Sequence, residues 1–208
     1  MTGLPATNKG VATRSAILER ACEMASMIGL EGLSIGSLAA AVGMSKSGVF
    51  VHFGSREELQ LAVIDLTAQR FVEHILSPAL AAKRGLPRLH ALVRAWFAWI
   101  RNHRGSCLLL SAIVEYDDRP GALHDRIVSY QLRWRDELMR AITLAIECGD
   151  LPPEADKHQL AFEVNAIALG VQHDAAVSGI DEAIDRGERM LERMLPRRAV
   201  TQSAIRGT

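Results

Sequence analysis

The sequence has little cysteine. Cys22, Cys107 and Cys148 are odd in number, lie far apart and form no Cys-x-x-Cys pair. A disulfide framework or a cysteine-rich zinc site is therefore disfavoured, and a reducing compartment fits best. Net charge is also lacking: 24 basic residues cancel 24 acidic ones, so the total does not announce nucleic acid. There is no uninterrupted apolar run long enough to span a membrane, and the opening MTGLPATNKGVAT holds no apolar core of signal-peptide length. A soluble, cytoplasmic protein with no membrane partner is expected. Catalytic signatures are missing too. No Glu is followed by His three residues later, and there is no His-Glu-x-x-His, Gly-x-Ser-x-Gly or phosphate-binding glycine loop, while the seven histidines are scattered. These absences leave no catalytic residue, metal ligand or cofactor to assign, and a helical di-metal enzyme loses its motif.

What is present is helical. At 208 residues, 49% hydrophobic and 23% charged, the chain can bury a sizeable core. Apolar stripes recur at helical spacing from Ile17 onward, no strand alternation survives beside them, and about nine helices are expected, hence an all-α protein. Residues 1–12 lack periodicity and read as a mobile arm, with Thr13 capping a first helix that Gly29 stops. A long helix from Arg56 runs to about Ser77, where Pro78 kinks or ends it. Residues 197–208 read as a loose, basic tail.

The segment Ser34 to Leu59 organises the rest. Leu33, Leu38, Ala39 and Val42 form one apolar face, Gly43 breaks that run, and Ser45 is placed to cap a second run carrying Val49, Phe50 and Phe53. Gly54 ends it, and Ser55 caps the next helix with Glu58 in the capping-box position. Helix, short glycine turn and second helix is the helix-turn-helix layout, whose second helix enters the DNA major groove. Lys46 and Ser47 near the start of that helix suit base edges or nearby phosphates, and Gly48 permits close backbone approach. His52 and Arg56 suit phosphates, as do Ser34 and Ser37 at the start of the preceding helix. Ser45 reads first as a cap and next as a contact. Up to Arg56 five basic residues face three acidic ones, which permits DNA binding without demanding it.

Arg14 to Leu59, with Ile17, Leu18, Ala21, Gly29, Ser34, Leu38, Ala39, Gly43, Ser45, Gly48, His52, Phe53, Ser55, Glu57, Glu58 and Leu59, resembles the N-terminal domain of the tetracycline-repressor (TetR) family. The resemblance covers about a quarter of the chain closely and the helical remainder in outline. It implies a helix-turn-helix domain over 13–55, a ligand-binding and dimerisation domain over 56–196, and a contact set comprising Lys46, Ser47, Gly48, Phe50, His52 and Arg56. Phe50 departs from the family, which usually has tyrosine there. The ring is kept and the phosphate-reaching hydroxyl is lost, so sugar contact or packing is expected instead. The helix after Arg56 becomes the lever between the two parts.

The second half carries Trp96, Trp99, Cys107, Tyr116, Gln131, Trp134, Asn165 and His173 within otherwise apolar stripes. Each alone reads as satisfied core packing. Together, and with the resemblance, they are the expected lining for a small apolar or aromatic effector. The run Asp156 to Ser178 is apolar nearly all round, more than one small subunit can bury, so a homodimer is expected. A two-fold dimer presents two reading helices, which implies a palindromic double-stranded operator. Repression relieved by an effector is the family's commonest behaviour.

Overall fold

In the computed structural model, residues 8–195 are described. Every regular element among them is helical: α1 (Asn8–Ile28), α2 (Ile35–Val42), α3 (Lys46–Phe53), α4 (Arg56–Phe71), a π-helical turn (Val72–Leu76), α5 (Ser77–Ala79), α6 (Leu86–Asn102), α7 (Leu108–Glu115), α8 (Ala122–Glu147), α9 (Lys157–Ser178) and α10 (Ile180–Met194). With α4 through α5 taken as one continuous run, the described residues hold nine helices. They divide into two compact units. The first comprises residues 8–74 with Ser106–Arg133, and the second Ile75–Gly105 with 134–195.

One local feature differs from the sequence reading, and a second gives it detail. The first helix begins at Asn8, so Thr13 lies inside it and does not cap it. The Thr13 hydroxyl donates to the Lys9 carbonyl at 2.9 Å, one turn back, which satisfies the side chain without ending the helix. The expected mobile arm is therefore helical over its last five residues, and residues 1–7, like the tail over 197–208, lie outside the described part. The second feature is at Pro78. The helix does not stop at Ser77; it widens into the π turn just before the proline and resumes as α5. A proline ring clashes with the carbonyl four residues back, here His74, and the wider turn is a common way to make room.

In the first unit α1 packs on α4, and α2 and α3 close the corner. Ile17, Ala21 and Ala25 of α1 meet a core with Leu59, Val63 and Ile64 of α4, and Leu30, Leu33, Leu38 and Val49 are fully buried there. Burial pushes the Cys22 thiol up to about 11, so it is an inert core group. α7 also packs on α4.

The second unit is built on α9 and α10, which run against each other, with α6 packed on both. Trp96, Phe97 and Ile100 of α6 are buried, as are Val164, Ala168 and Val171 of α9 and Ile184 and Leu191 of α10. α10 comes close because residue 187 is glycine. A Cβ there would stand 2.4 Å from Val171 Cγ2 and 3.1 Å from Phe97 Cζ. α9 does not bury both apolar faces within one chain: Phe162 is 64% exposed and Val177 74%, and Ala166, Leu169, Gly170 and His173 lie exposed between them.

Alanine at residue 187 gains helix propensity, about 1 kcal/mol over glycine. The overlap with two buried side chains outweighs that gain. Gly187→Ala should destabilise the protein by about 1–3 kcal/mol net, read as a lower urea midpoint. An unchanged midpoint would mean that α10 is not seated as described.

Candidate nucleic-acid interface

The reading corner is assembled by caps. Ser34 takes extended backbone (φ −135°, ψ 155°), its hydroxyl accepts the Ser37 amide at 3.1 Å, and the Ser37 hydroxyl accepts the Ser34 amide at 3.2 Å. That reciprocal box starts α2. Gly43 ends it in the left-handed region (φ +67°), where a side chain would strain, and turns the chain within two residues into α3. Ser45 caps α3 by accepting the Gly48 amide at 3.0 Å. α3 is only eight residues long and is pinned by Val49 and Phe53, both buried. From α1, Arg14 lies over the Phe53 ring, 4.9 Å from its centroid, and Arg14 Nε donates to the His52 carbonyl at 3.3 Å.

With α3 so held, Ser45, Lys46, Ser47 and Phe50 stand exposed, and Gly48 and His52 are half-buried. Lys46 reaches back across the start of α2. A Cβ on Gly36 would lie 3.1 Å from Lys46 Cε and 3.5 Å from its Nζ. The ammonium, the exposed Ser37 and the positive end of α2 thus share one corner, an arrangement that favours an anion. Ser34 is half-buried and serves as the cap of that same end.

Arg56 behaves differently. Its guanidinium is turned back on its own unit, with Nε donating to the Leu33 carbonyl at 2.8 Å and Nη2 engaging the Glu31 carbonyl and, at 3.2 Å, the Glu31 carboxylate. It is a strut for the loop between α1 and α2. Glu31 is a node. It also accepts from Tyr116 Oη at 2.8 Å and pairs with Arg119 at 3.0 Å, while its amide donates to Glu115 Oε2 at 2.8 Å. The buried Gln60 donates to the Leu30 carbonyl at 2.7 Å and to Tyr116 Oη at 3.0 Å. Gly29 (φ +78°) is needed beside them, since a Cβ there would meet Glu115 Oε1 at 2.9 Å. The Tyr116 hydrogen bond, and after it the Arg56 and Arg119 charges, hold the Glu31 carboxyl below its ordinary value. Burial, then the bond to Glu31, pushes the Tyr116 phenol above the usual tyrosine range. A second tie sits on the same unit: Arg126 Nη1 donates to both Asp65 oxygens at 2.6 Å, and Tyr130 Oη donates to Asp65 at 2.8 Å. None of Glu31, Gln60, Asp65, Arg119 or Arg126 stood out in the sequence. Their partners lie tens of residues away, and no local spacing marks them.

The expected effector residues fall in both units. In the first, Cys107 is buried, Gln131 donates to the Leu109 carbonyl, and Tyr116 belongs to the Glu31 node. In the second, Trp96 and Trp134 are brought edge to face, with centroids 4.9 Å apart, and Trp99 stacks on His103 at 4.0 Å. Asn165 is only 7% exposed, and its Oδ1 has no hydrogen-bond partner among the described residues. His173 is exposed on the outer face of α9. Among the described residues no group of three His, Cys, Asp or Glu side chains is placed to hold a metal ion, and no helix is long and apolar enough to cross a membrane.

Residues 17–63, which hold this corner, match the model of bacterial regulatory proteins of the tetR family, and residues 85–191 match the tetracyclin repressor-like C-terminal domain. The chain belongs to the TetR family. It is a DNA-binding transcriptional regulator of the helix-turn-helix type. Solved TetR-type structures share the fold along nearly their whole length. AibR, solved in complex with isovaleryl coenzyme A and operator DNA, is 25% identical, with 88% of this chain and 98% of AibR covered at a TM-score of 0.73. A TetR regulator from Chloroflexus aurantiacus J-10-FL is 24% identical over 90% of this chain and 98% of its own, at a TM-score of 0.78. The ketosteroid regulator KstR2 of Mycobacterium tuberculosis is 19% identical over 88% and 93%, at 0.67. No curated protein matches the chain.

The Glu31 node of this TetR-family regulator carries a pH dependence whose sign follows from the depressed carboxyl. A lowered folded value contributes stability that is complete above the ordinary 4.5 and is lost as pH falls through the folded value. Glu31→Gln should therefore lower the urea midpoint at pH 7, and the gap to the parent should close as pH falls below about 4. A gap equally wide at acid pH would mean that the charge of Glu31 is not what holds the loop.

Proposed function

We propose that this TetR-family regulator is a repressor that binds a palindromic operator as a homodimer and is released when a small apolar or aromatic effector occupies the C-terminal domain. The observation that carries the reading is the exposed end of α3 with Lys46 lying over the capped start of α2. Lys46, Ser37 and the α2 amides take a phosphate there, and Ser47 takes a base edge. Gly48 lets the α3 backbone approach, Ser45 and Ser34 hold the two caps, and His52 flanks the groove. Arg56 supports the corner from behind. That AibR, 25% identical, is solved with operator DNA and isovaleryl coenzyme A supports operator binding and binding of a small-molecule effector, though not the apolar class of that effector.

The homodimer is proposed from α9. Phe162, Ala166, Leu169, Gly170, His173 and Val177 recur at helical spacing on its open face, and a Cβ on Gly170 would meet nothing within 4 Å, which leaves room for close approach by a second copy. The effector is proposed to bind at the apolar, aromatic core of the second unit, which holds the Trp96–Trp134 pair, Trp99 and the buried Asn165. Cys107, Tyr116 and Gln131 belong to the first unit, where Tyr116 and Gln131 are held by Glu31, Gln60 and the Leu109 carbonyl, and they are left out of that site. His173 belongs with the dimer face more naturally than with the effector.

Selection of bound duplexes from a random pool should enrich one palindrome. On that duplex Lys46→Ala should weaken binding and reduce the steepness of log K against log salt by about one per subunit. Unchanged affinity and slope would remove Lys46 from the phosphate set. Apolar and aromatic compounds that quench tryptophan fluorescence should also release the selected duplex. Quenching without release would separate the core from the DNA and contradict the regulatory half of the proposal.

A further inference from the structure

α3 carries an outward face that polar contacts do not explain. Val51 is 82% exposed, more than any other large apolar side chain among the described residues, and Phe50 beside it is 52% exposed. Ser47, Phe50 and Val51 stand at i, i+3 and i+4 and share one side of the helix, while Val49 and Phe53, at 0% and 6%, face inward. A β-branched residue lowers the helix propensity of an eight-residue helix and here gains no burial in return. So the ring and the isopropyl group are presented outward one turn along α3 from Lys46 and Ser47, on the face that Ser47 shares.

We infer that Phe50 and Val51 read thymine 5-methyl groups in the major groove, so that each half-site is specified partly by apolar contact. The inference rests on the DNA-binding reading above and deepens it. An isopropyl group and a phenyl ring without a hydroxyl neither donate nor accept hydrogen bonds. Of the features a base pair shows in the major groove, the thymine methyl is the apolar one. The flanking Lys46 charge and the capped α2 start bring the phosphate backbone alongside, which fixes DNA as the occupant of this face. The absent tyrosine hydroxyl at Phe50 fits the same picture, since the ring then has no polar atom to direct toward a phosphate. The adjacency of Phe50 and Val51 predicts thymines close together and at mirrored positions in the two half-sites.

The test uses the full-length protein and the duplex enriched from a random pool, with each thymine replaced in turn by deoxyuridine, which removes only the 5-methyl. Loss of one methyl contact should weaken binding about fourfold per half-site at the sensitive position. In Val51→Ala or Phe50→Ala that penalty should vanish, the thymine and uracil duplexes then binding alike. Both side chains are exposed, so neither change removes core packing. If the parent ignores every replacement while still binding the selected duplex specifically, the inference is overturned and the DNA-binding reading stands. A penalty undiminished in both variants also overturns it. If no sequence is enriched at all, the DNA-binding reading fails and the inference fails with it.

Discussion

An eight-residue helix cannot hold itself together in water, and the proposed reading surface of this protein is such a helix. Everything that makes α3 usable comes from outside it: the Ser45 cap, the Gly43 turn, burial of Val49 and Phe53, and Arg14 over the Phe53 ring. Those constraints fix which side chains are spent on holding the helix and which stay outward. Lys46, Ser47, Phe50 and Val51 are the remainder. In the proposed function the chemistry of DNA recognition is what the packing leaves over, and two of the four outward groups are apolar.

The corner is in turn tied to the rest of its unit through charge. Glu31, in the loop between α1 and α2, holds Arg56 on one side and Tyr116 and Arg119 on the other, so the loop that enters the reading domain is locked to the end of α7. Asp65 does the same for α4 and the first turns of α8 through Arg126 and Tyr130. α8 then runs without a break to Trp134, which meets Trp96 edge to face. In the proposed function an effector that repacks those indoles acts on a helix whose other end is clamped to α4. The effector then works by favouring one of two arrangements over the other, and its leverage is limited to its difference in affinity for them.

The all-α architecture was legible because helices announce themselves locally. Ser34, Gly43, Ser45, Gly54 and Ser55 each occupy the cap or turn that their own chemistry favours, and the stripes of α6, α8 and α9 repeat at helical spacing. The departure from expectation was local as well. Thr13 has the identity of a cap, but its hydroxyl bonds one turn back and the helix runs through it. At Pro78 the regular helix gives way to a π turn and runs only to Ala79, in line with the kink or end that the proline predicts. At the candidate site the partners of single side chains were not legible in the sequence. Arg56 has the charge for phosphate, yet a carboxylate 25 residues upstream claims it. Tyr116 has the look of an effector residue, yet Glu31 and Gln60 hold its hydroxyl. The exposure of Val51 is not legible in the sequence, because valine on a helix reads as core. Such assignments depend on partners distant in the chain, which no periodicity records.

The central claim is that two copies of α3, related by a two-fold axis, sit in successive major grooves of one duplex. Hydroxyl-radical footprinting of the full-length protein on its selected operator measures this directly. The account predicts protection on one face of the DNA, symmetric about the palindrome centre, with the two groove contacts about 34–36 Å apart. A single asymmetric patch, or protection spread evenly round the duplex, would contradict it.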